Sequence, residues 1–206
     1  QIHSVSLDST SLIDIKSIET NPVRCPNPEV AKEMIDIIKE AKEDGDSLGG
    51  IVHTSIKNCP IGLGDPVFEK LHANIGKYIL SINACKGIAF GSGFDSVNMK
   101  GSEYNDGIAH NDGVTSTLTN HSGGIQGGIS NGQEIYFDAV FRPTSSISKK
   151  QKTIDHSNSS VEISIEGRHD PCVVPRAVPI VEAMTALVLA DHFLQSKLNK
   201  LSDLIK

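Results

Sequence analysis

Apolar and polar positions alternate along the chain with two periods. Val30, Met34, Ile37, Ile38 and Ala41 recur at helical spacing. Asn27 caps this stretch, Pro28 takes its first position, Glu29 sits in the first turn and Gly45 ends it, so a helix is expected there. A second helix is expected after "GLGDPVF", with Asp65 as cap, Pro66 as first residue and Phe68, Leu71, Ile75 and Ile79 as its apolar face. A third, long helix is expected from about Pro179, with Ile180, Met184, Leu187, Val188, Leu194, Leu198 and Leu201 along one side. Residues 2–7 read as a short strand, and the β-branched run Leu48–Lys57 as another. Gln133–Phe141, a stretch near Lys152–Ile154 and Val161–Gly167 complete the strands; "DHSNSS" between the last two is a turn signal. Strands followed by helices in this order point to an α+β fold, antiparallel strands against helices.

Glycine changes the picture between these elements. Residues 84–132 hold 11 of the 18 glycines, so that region is expected to be mostly loop and turn. The 206 residues suit one large domain or two small ones, and a single domain is expected. A net charge of −6, with both signs mixed along the chain, excludes the basic stripe of a nucleic-acid binder. It leaves an anionic substrate open, since a few local cations and N–H groups suffice to hold a phosphate. Cys25, Cys59, Cys85 and Cys172 form neither C-x-x-C pairs nor zinc spacings. They read as reduced thiols of a cytoplasmic protein. No signal peptide and no apolar run long enough for a bilayer is read, so no membrane partner is expected. The first residue is Gln1, with no Met, which suggests a processed chain or part of a longer one.

Three clusters bear candidate chemistry. In "TNHSGGIQGGISNG" (Thr119–Gly132) two Gly-Gly pairs allow close backbone approach and an anion nest, and Asn120, His121 and Ser130 add side-chain hydrogen bonds. It is neither a Walker loop nor a Rossmann turn, and a flexible surface loop is the alternative. "FRPTSSI" (Phe141–Ile147) places Arg142 and three hydroxyls after a strand, suited to a phosphate or a heterocycle edge, or else to an ordinary turn. "GRHDPCVVPRAVP" (Gly167–Pro179) sets Arg168, His169 and Asp170 side by side on a proline-stiffened segment, with Arg176 following. A structural ion-pair turn, or a reactive Cys172 beside His169, are the alternatives; Cys172 is expected to pack.

Together these clusters resemble the chorismate synthase family. The resemblance covers "SINACKGIAFGSGFD" (Ser81–Asp95), the Gly-Gly segment, "RPTSSI" and "GRHDPCVVPRAVPIVEAM" (Gly167–Met184), in family order. "IGLGDPVFEKL" (Ile61–Leu71) is similar as well, so most of the chain from about Gly45 is included. The resemblance implies half of a β-α-β sandwich with long Gly-rich flavin-binding loops. It also implies a lyase of the shikimate pathway to the aromatic amino acids, which removes phosphate from 5-enolpyruvylshikimate 3-phosphate by anti 1,4-elimination. The family uses reduced FMN, which lends an electron as phosphate leaves and recovers it as hydrogen is lost. NADP enters the expectation through reduction of the flavin, and a homotetramer through the family's assembly.

Matched residue by residue, the resemblance makes Asn83 and Ala84 a flavin-contacting pair, with Asn120 alongside. Gly127 becomes the glycine at which the segment approaches FMN. Arg142, Pro143, Thr144, Ser145 and Ser146 become a flavin-binding run, with Arg142 where the family usually has Lys. Arg168 becomes a flavin- or substrate-binding arginine. Asp170 becomes the acid that manages the proton on the flavin's reactive nitrogen. The family's N-terminal motifs, including two histidines thought to act as acids, have no match here. The chain is therefore expected to be a C-terminal part of such an enzyme, inactive alone. His3, His53, His72, His110, His156 and His192 are expected to be structural. A non-catalytic FMN-binding or interaction module is the main rival; an unrelated nucleotide-binding enzyme leaves "GRHDPC" unexplained.

Overall fold

The structure is a computed structural model, and it describes residues 1–7, 13–111, 113–167 and 169–198. Four helices and nine strands are described: α1 (Pro28–Glu43), β1 (Gly50–Ile56), α2 (Leu71–Leu80), β2 (Cys85–Phe90), α3 (Gly101–Tyr104), β3 (Ile108–Asn111), β4 (Val114–Thr117), β5 (Ile125–Gln126), β6 (Ile129–Ser130), β7 (Ile135–Phe141), β8 (Gln151–Ile154), β9 (Ser160–Ile163) and α4 (Val174–Leu198). Single 3₁₀ segments lie at Ile15–Thr20 and Gly93–Asn98. β1, β7 and β2 form one sheet in that order, and β3–β4, β5–β6 and β8–β9 are antiparallel hairpins. This is the α+β class the pattern predicts.

The chain divides into two compact units. Residues 1–52 and 140–178 form the first, and 53–139 and 179–206 the second. In the first, α1 begins as the sequence predicts. Asn27 Oδ1 accepts the N–H groups of Glu29 and Val30 at 3.0 and 3.1 Å, Pro28 opens the helix, and Ala31 and Met34 face the core. Residues 2–7 do not form the expected strand. His3 takes a positive φ of 48°, and Ile2 and Val5 exchange both backbone hydrogen bonds across a tight turn. Only Ile2 bridges to Gly50.

In the second unit α2 packs on β2, with Gly76 facing Ile88, and buries Leu71, Ile75 and Ile79. β7 follows the expected period of two. Ile135, Phe137 and Ala139 are fully buried, and the Phe137 ring lies 5.3 Å from that of Phe90. The helix starts later than Asp65 and Pro66 suggest. Val67 stands at φ 92° and Phe68 is 87% exposed, so neither belongs to the helix or its apolar face. Leu71 N–H instead donates to Gly128 O at 2.8 Å, which fixes the first turn from a distant hairpin.

α4 starts at Val174, five residues before the expected Pro179, and carries that proline inside it. Its buried face is Val174, Ala177, Val181, Thr185, Val188 and His192, while Ile180, Leu187, Leu194 and Leu198 are exposed. The predicted side was therefore largely the wrong one, because α4 is apolar around most of its circumference. With a mean hydropathy of 1.5 it is also long and apolar enough to cross a membrane by length and composition, contrary to the sequence reading, and 28% of that apolar stretch is buried. Region 84–132 is also more regular than its glycines suggest, with one sheet strand and two hairpins.

Candidate functional site

The predicted residues fall into one group in each unit. In the first unit the segments after β7 and before α4 meet. Thr144 Oγ1 donates to Asp170 O at 3.0 Å, and Ser47 Oγ donates to Thr144 O at 2.6 Å. The backbones of the "RPTSS" run and of "HDPC" are thus tied together. Ser145 O accepts from Gln151 Nε2 at 3.3 Å. Arg142 is exposed, and its Nη1 donates to the neighbouring Pro143 O at 2.8 Å. The guanidinium curls onto its own loop and stays accessible. Pro143 is exposed and Ser146 half-buried.

Asp170 Oδ2 pairs with Arg176 Nη1 at 2.9 Å. Oδ1 has no hydrogen-bond partner among the described residues. His169 Nε2 donates to Ile165 O at 3.1 Å, which turns the ring back onto the segment after β9; that strand ends at Ile163, short of the expected Gly167. Cys172 is buried, and burial pushes its thiol pKa up, the opposite of a reactive thiolate. That supports the packing reading over the Cys–His one. Arg168 lies outside the described residues.

In the second unit the glycine-rich segment is not an open loop. Gln126 and Ile129 pair across a two-residue hairpin whose central residues, Gly127 and Gly128, both have positive φ (61° and 92°), the requirement of a type I′ turn. Close packing occupies most of the other glycines. A Cβ on Gly91 would collide with His121 O, and one on Gly123 with the backbone of Gly91. At Gly128 it would meet the Lys70 side chain. At Gly127 alone of the segment's four paired glycines would a Cβ meet nothing within 4 Å.

Asn120 is spent internally. Its Oδ1 accepts Gly124 N–H and its Nδ2 donates to Glu134 O, both at 2.8 Å. Tyr136 OH donates to Asn120 O at 2.9 Å, and burial is the main cause that raises its pKa. Asn120 is therefore a strut of the segment. Asn83 and Ala84 form the α2–β2 turn, with Asn83 exposed and Ala84 at a positive φ of 69°. For a residue with a Cβ that conformation costs about 1 kcal/mol, and such strain gathers at functional sites. Gly128 meets the first turn of α2 whereas Asn83 lies past its last, so roughly 15 Å of helix rise separates the two groups.

Sequence reasoning missed Asp106, whose carboxylate binds the backbone of His121 and Ser122. It also missed Ser92, whose hydroxyl is 2.9 Å from His121 Nδ1. No local pattern flags either, because both act across many residues. The other histidines have protein partners where these are described. His53 Nδ1 lies 2.7 Å from Asp138, which raises its pKa, and His192 is buried with Nε2 3.0 Å from Asn74 Nδ2. His72 lies edge-on to Phe90, and burial lowers its pKa.

The class of protein defined so far is an α+β fold that carries a glycine hairpin in one unit and, in the other, an Arg-Pro-Thr-Ser-Ser segment tied to an aspartate. Comparison with known proteins narrows this. A family model described as chorismate synthase matches residues 1–194, more than the motifs alone cover. The chain is 59% identical over 191 residues to the chorismate synthase of Christiangramia forsetii, covering 93% of this chain and 53% of that protein. It is 52% identical over 202 residues to that of Bacteroides thetaiotaomicron, covering 98% and 56%. A crystal structure of a chorismate synthase matches with a TM-score of 0.76 at 27% identity, over 95% of this chain and 55% of that one. The chain belongs to the chorismate synthase family, and spans about half the length of the curated relatives it matches.

Proposed function

We propose that this chain forms part of a chorismate synthase, a cytoplasmic lyase that eliminates phosphate from 5-enolpyruvylshikimate 3-phosphate to give chorismate. Family membership carries this reading, with identities above 50% over nearly the whole chain. The residues present suit reduced FMN. Gly127 offers open backbone and Ala84 a strained turn beside exposed Asn83. Thr144 is locked in place, and Arg142 remains accessible to an anionic or heteroaromatic edge. When bound, the reduced flavin supplies the electron that phosphate departure requires.

The chain's own contribution is binding, orientation and one proton. On the family resemblance Asp170, whose Oδ2 pairs with Arg176, would hold or release a proton beside the bound flavin. On the family resemblance Arg168 belongs with the flavin- or substrate-binding residues. Carried over from the family, the flavin-binding set is Arg142, Pro143, Thr144, Ser145 and Ser146 in the first unit and Asn83, Ala84 and Gly127 in the second, with Asn120 bracing the segment that carries Gly127. The assembly is a homotetramer, and the 206-residue chain alone does not turn over.

Asp170→Asn in the full-length enzyme tests this reading. It lowers turnover on the order of 100-fold while FMN affinity stays within a few fold. Unchanged turnover removes Asp170 from the mechanism. Measurable conversion by the isolated chain with reduced FMN refutes its inactivity. Flavin fluorescence titration of the same chain shows whether it binds cofactor without the rest of the protein.

A further inference from the structure

Asp106 lies in the turn before β3, far from the glycine hairpin in sequence. Its carboxylate accepts the Thr119 hydroxyl at 2.7 Å, the His121 N–H at 2.7 Å, the Ser122 N–H at 3.0 Å and the Ser122 hydroxyl. Two consecutive backbone N–H groups and two hydroxyls converging on one point are the donors of an anion cradle. Partial burial raises the pKa of Asp106, but these four bonds outweigh it and hold the group at about 2. The cradle therefore encloses a charged carboxylate at neutral pH. The stretch it binds is held on other sides too. Ser92 N–H donates to His121 O at 2.8 Å, the Tyr104 ring stacks on His121 at 6.1 Å, and Asn120 ties Gly124 to Glu134. Only beyond this pinned stretch does the segment open, at the exposed Gln126 and Gly127.

We propose that Asp106 is a positioning residue of the candidate flavin site, supplying the anion that the Thr119–Ser122 cradle binds and leaving Gly127 as the point where the segment meets its ligand. The sequence alone suggested an anion nest in this segment without naming its anion. The geometry supplies an internal anion, the Asp106 carboxylate. The segment then contacts an uncharged part of its ligand, and the ligand's phosphate is held by other groups. The flavin part of this inference rests on the function proposed above; the cradle part does not.

The test follows the amide resonances of His121 and Ser122 during titration with inorganic phosphate, and FMN affinity by fluorescence, in the wild type and two variants. In the wild type phosphate leaves both amides unmoved. In Asp106→Ala it shifts them saturably. FMN affinity then falls about tenfold, equivalent to losing about 1.4 kcal/mol, and formate, a carboxylate small enough for the vacated cradle, restores most of it. Asp106→Asn keeps the shape, loses the charge, weakens FMN less and gains nothing from formate. A role in stability alone would lower the melting temperature without formate-dependent FMN affinity. The proposal is overturned if phosphate moves the two amides in the wild type, or if Asp106→Ala binds FMN as the wild type does. Should Asp106→Ala not fold, the wild-type titration and the Asn variant decide. All measurements use the full-length protein; its failure to bind FMN as wild type would sink the flavin reading, and the amide titrations would still judge the cradle.

Discussion

Pro179 lacks the N–H that would bond Pro175 O one turn back in α4, and Arg24 supplies the donor instead, Nη1 to O at 2.8 Å. Arg24 itself stands at φ 52° and pairs with Glu19 through Nε, so a strained residue serves to satisfy an orphaned carbonyl. Arg24→Ala is expected to cost about 1–2 kcal/mol in chemical denaturation. In a Pro179→Ala background, where the helix regains its own donor, the same change should cost less than about 1 kcal/mol. Equal costs in both backgrounds would mean that Arg24 acts by packing. His53 offers a second single-residue test. Its hydrogen bond to Asp138 is the main cause that raises its pKa above the usual 6.5, against a smaller opposing effect of burial. The raised value means that the pair's stabilisation is fully present below pH 6.5 and is lost as pH rises through the folded-state pKa. NMR titration of the imidazole should find that raised value, and Asp138→Asn should bring it down. A histidine titrating at or below 6.5 in the wild type would dismiss the pair.

At the scale of elements, α1 was legible because its signals are local: Asn27 directly precedes it, and Pro28 and the spacing of apolar residues lie within it. β7 was legible for the same reason, its alternation matching Ile135, Phe137 and Ala139 inward. α2 was not. Asp65 and Pro66 are good local start signals, but the helix begins where Gly128 O accepts Leu71 N–H, a partner 57 positions away (128 − 71 = 57). α4 failed differently, since a helix apolar on most sides does not announce which side the core will take. Its orientation can be checked by denaturation. Val181→Ala, on the fully buried side, is expected to cost about 2 kcal/mol, whereas Leu187→Gln, at a position 60% exposed, should stay within about 0.5 kcal/mol. The reverse order would restore the face inferred from periodicity.

At the scale of the molecule, the family was legible and the site only in part. Motifs name residues without saying what each is for. "TNHSGGIQGG" contains a strut, an internally filled cradle and one open glycine, and only distances separate these roles. The Thr144–Asp170 bond likewise joins motifs that the sequence lists separately.

The sorting of the glycines bears on how an alignment of such proteins should be read. Gly91 and Gly123 admit no side chain because backbone lies against them, so an invariant glycine there would record the cost of folding. Gly127 has room, and only its dihedral angle and whatever docks against it restrict the choice. Two columns with identical frequencies would therefore have different histories. A lineage in which nothing docked at Gly127 would be free to exchange it for another residue that accepts a positive φ, such as Asn, and would still retain Gly91 and Gly123.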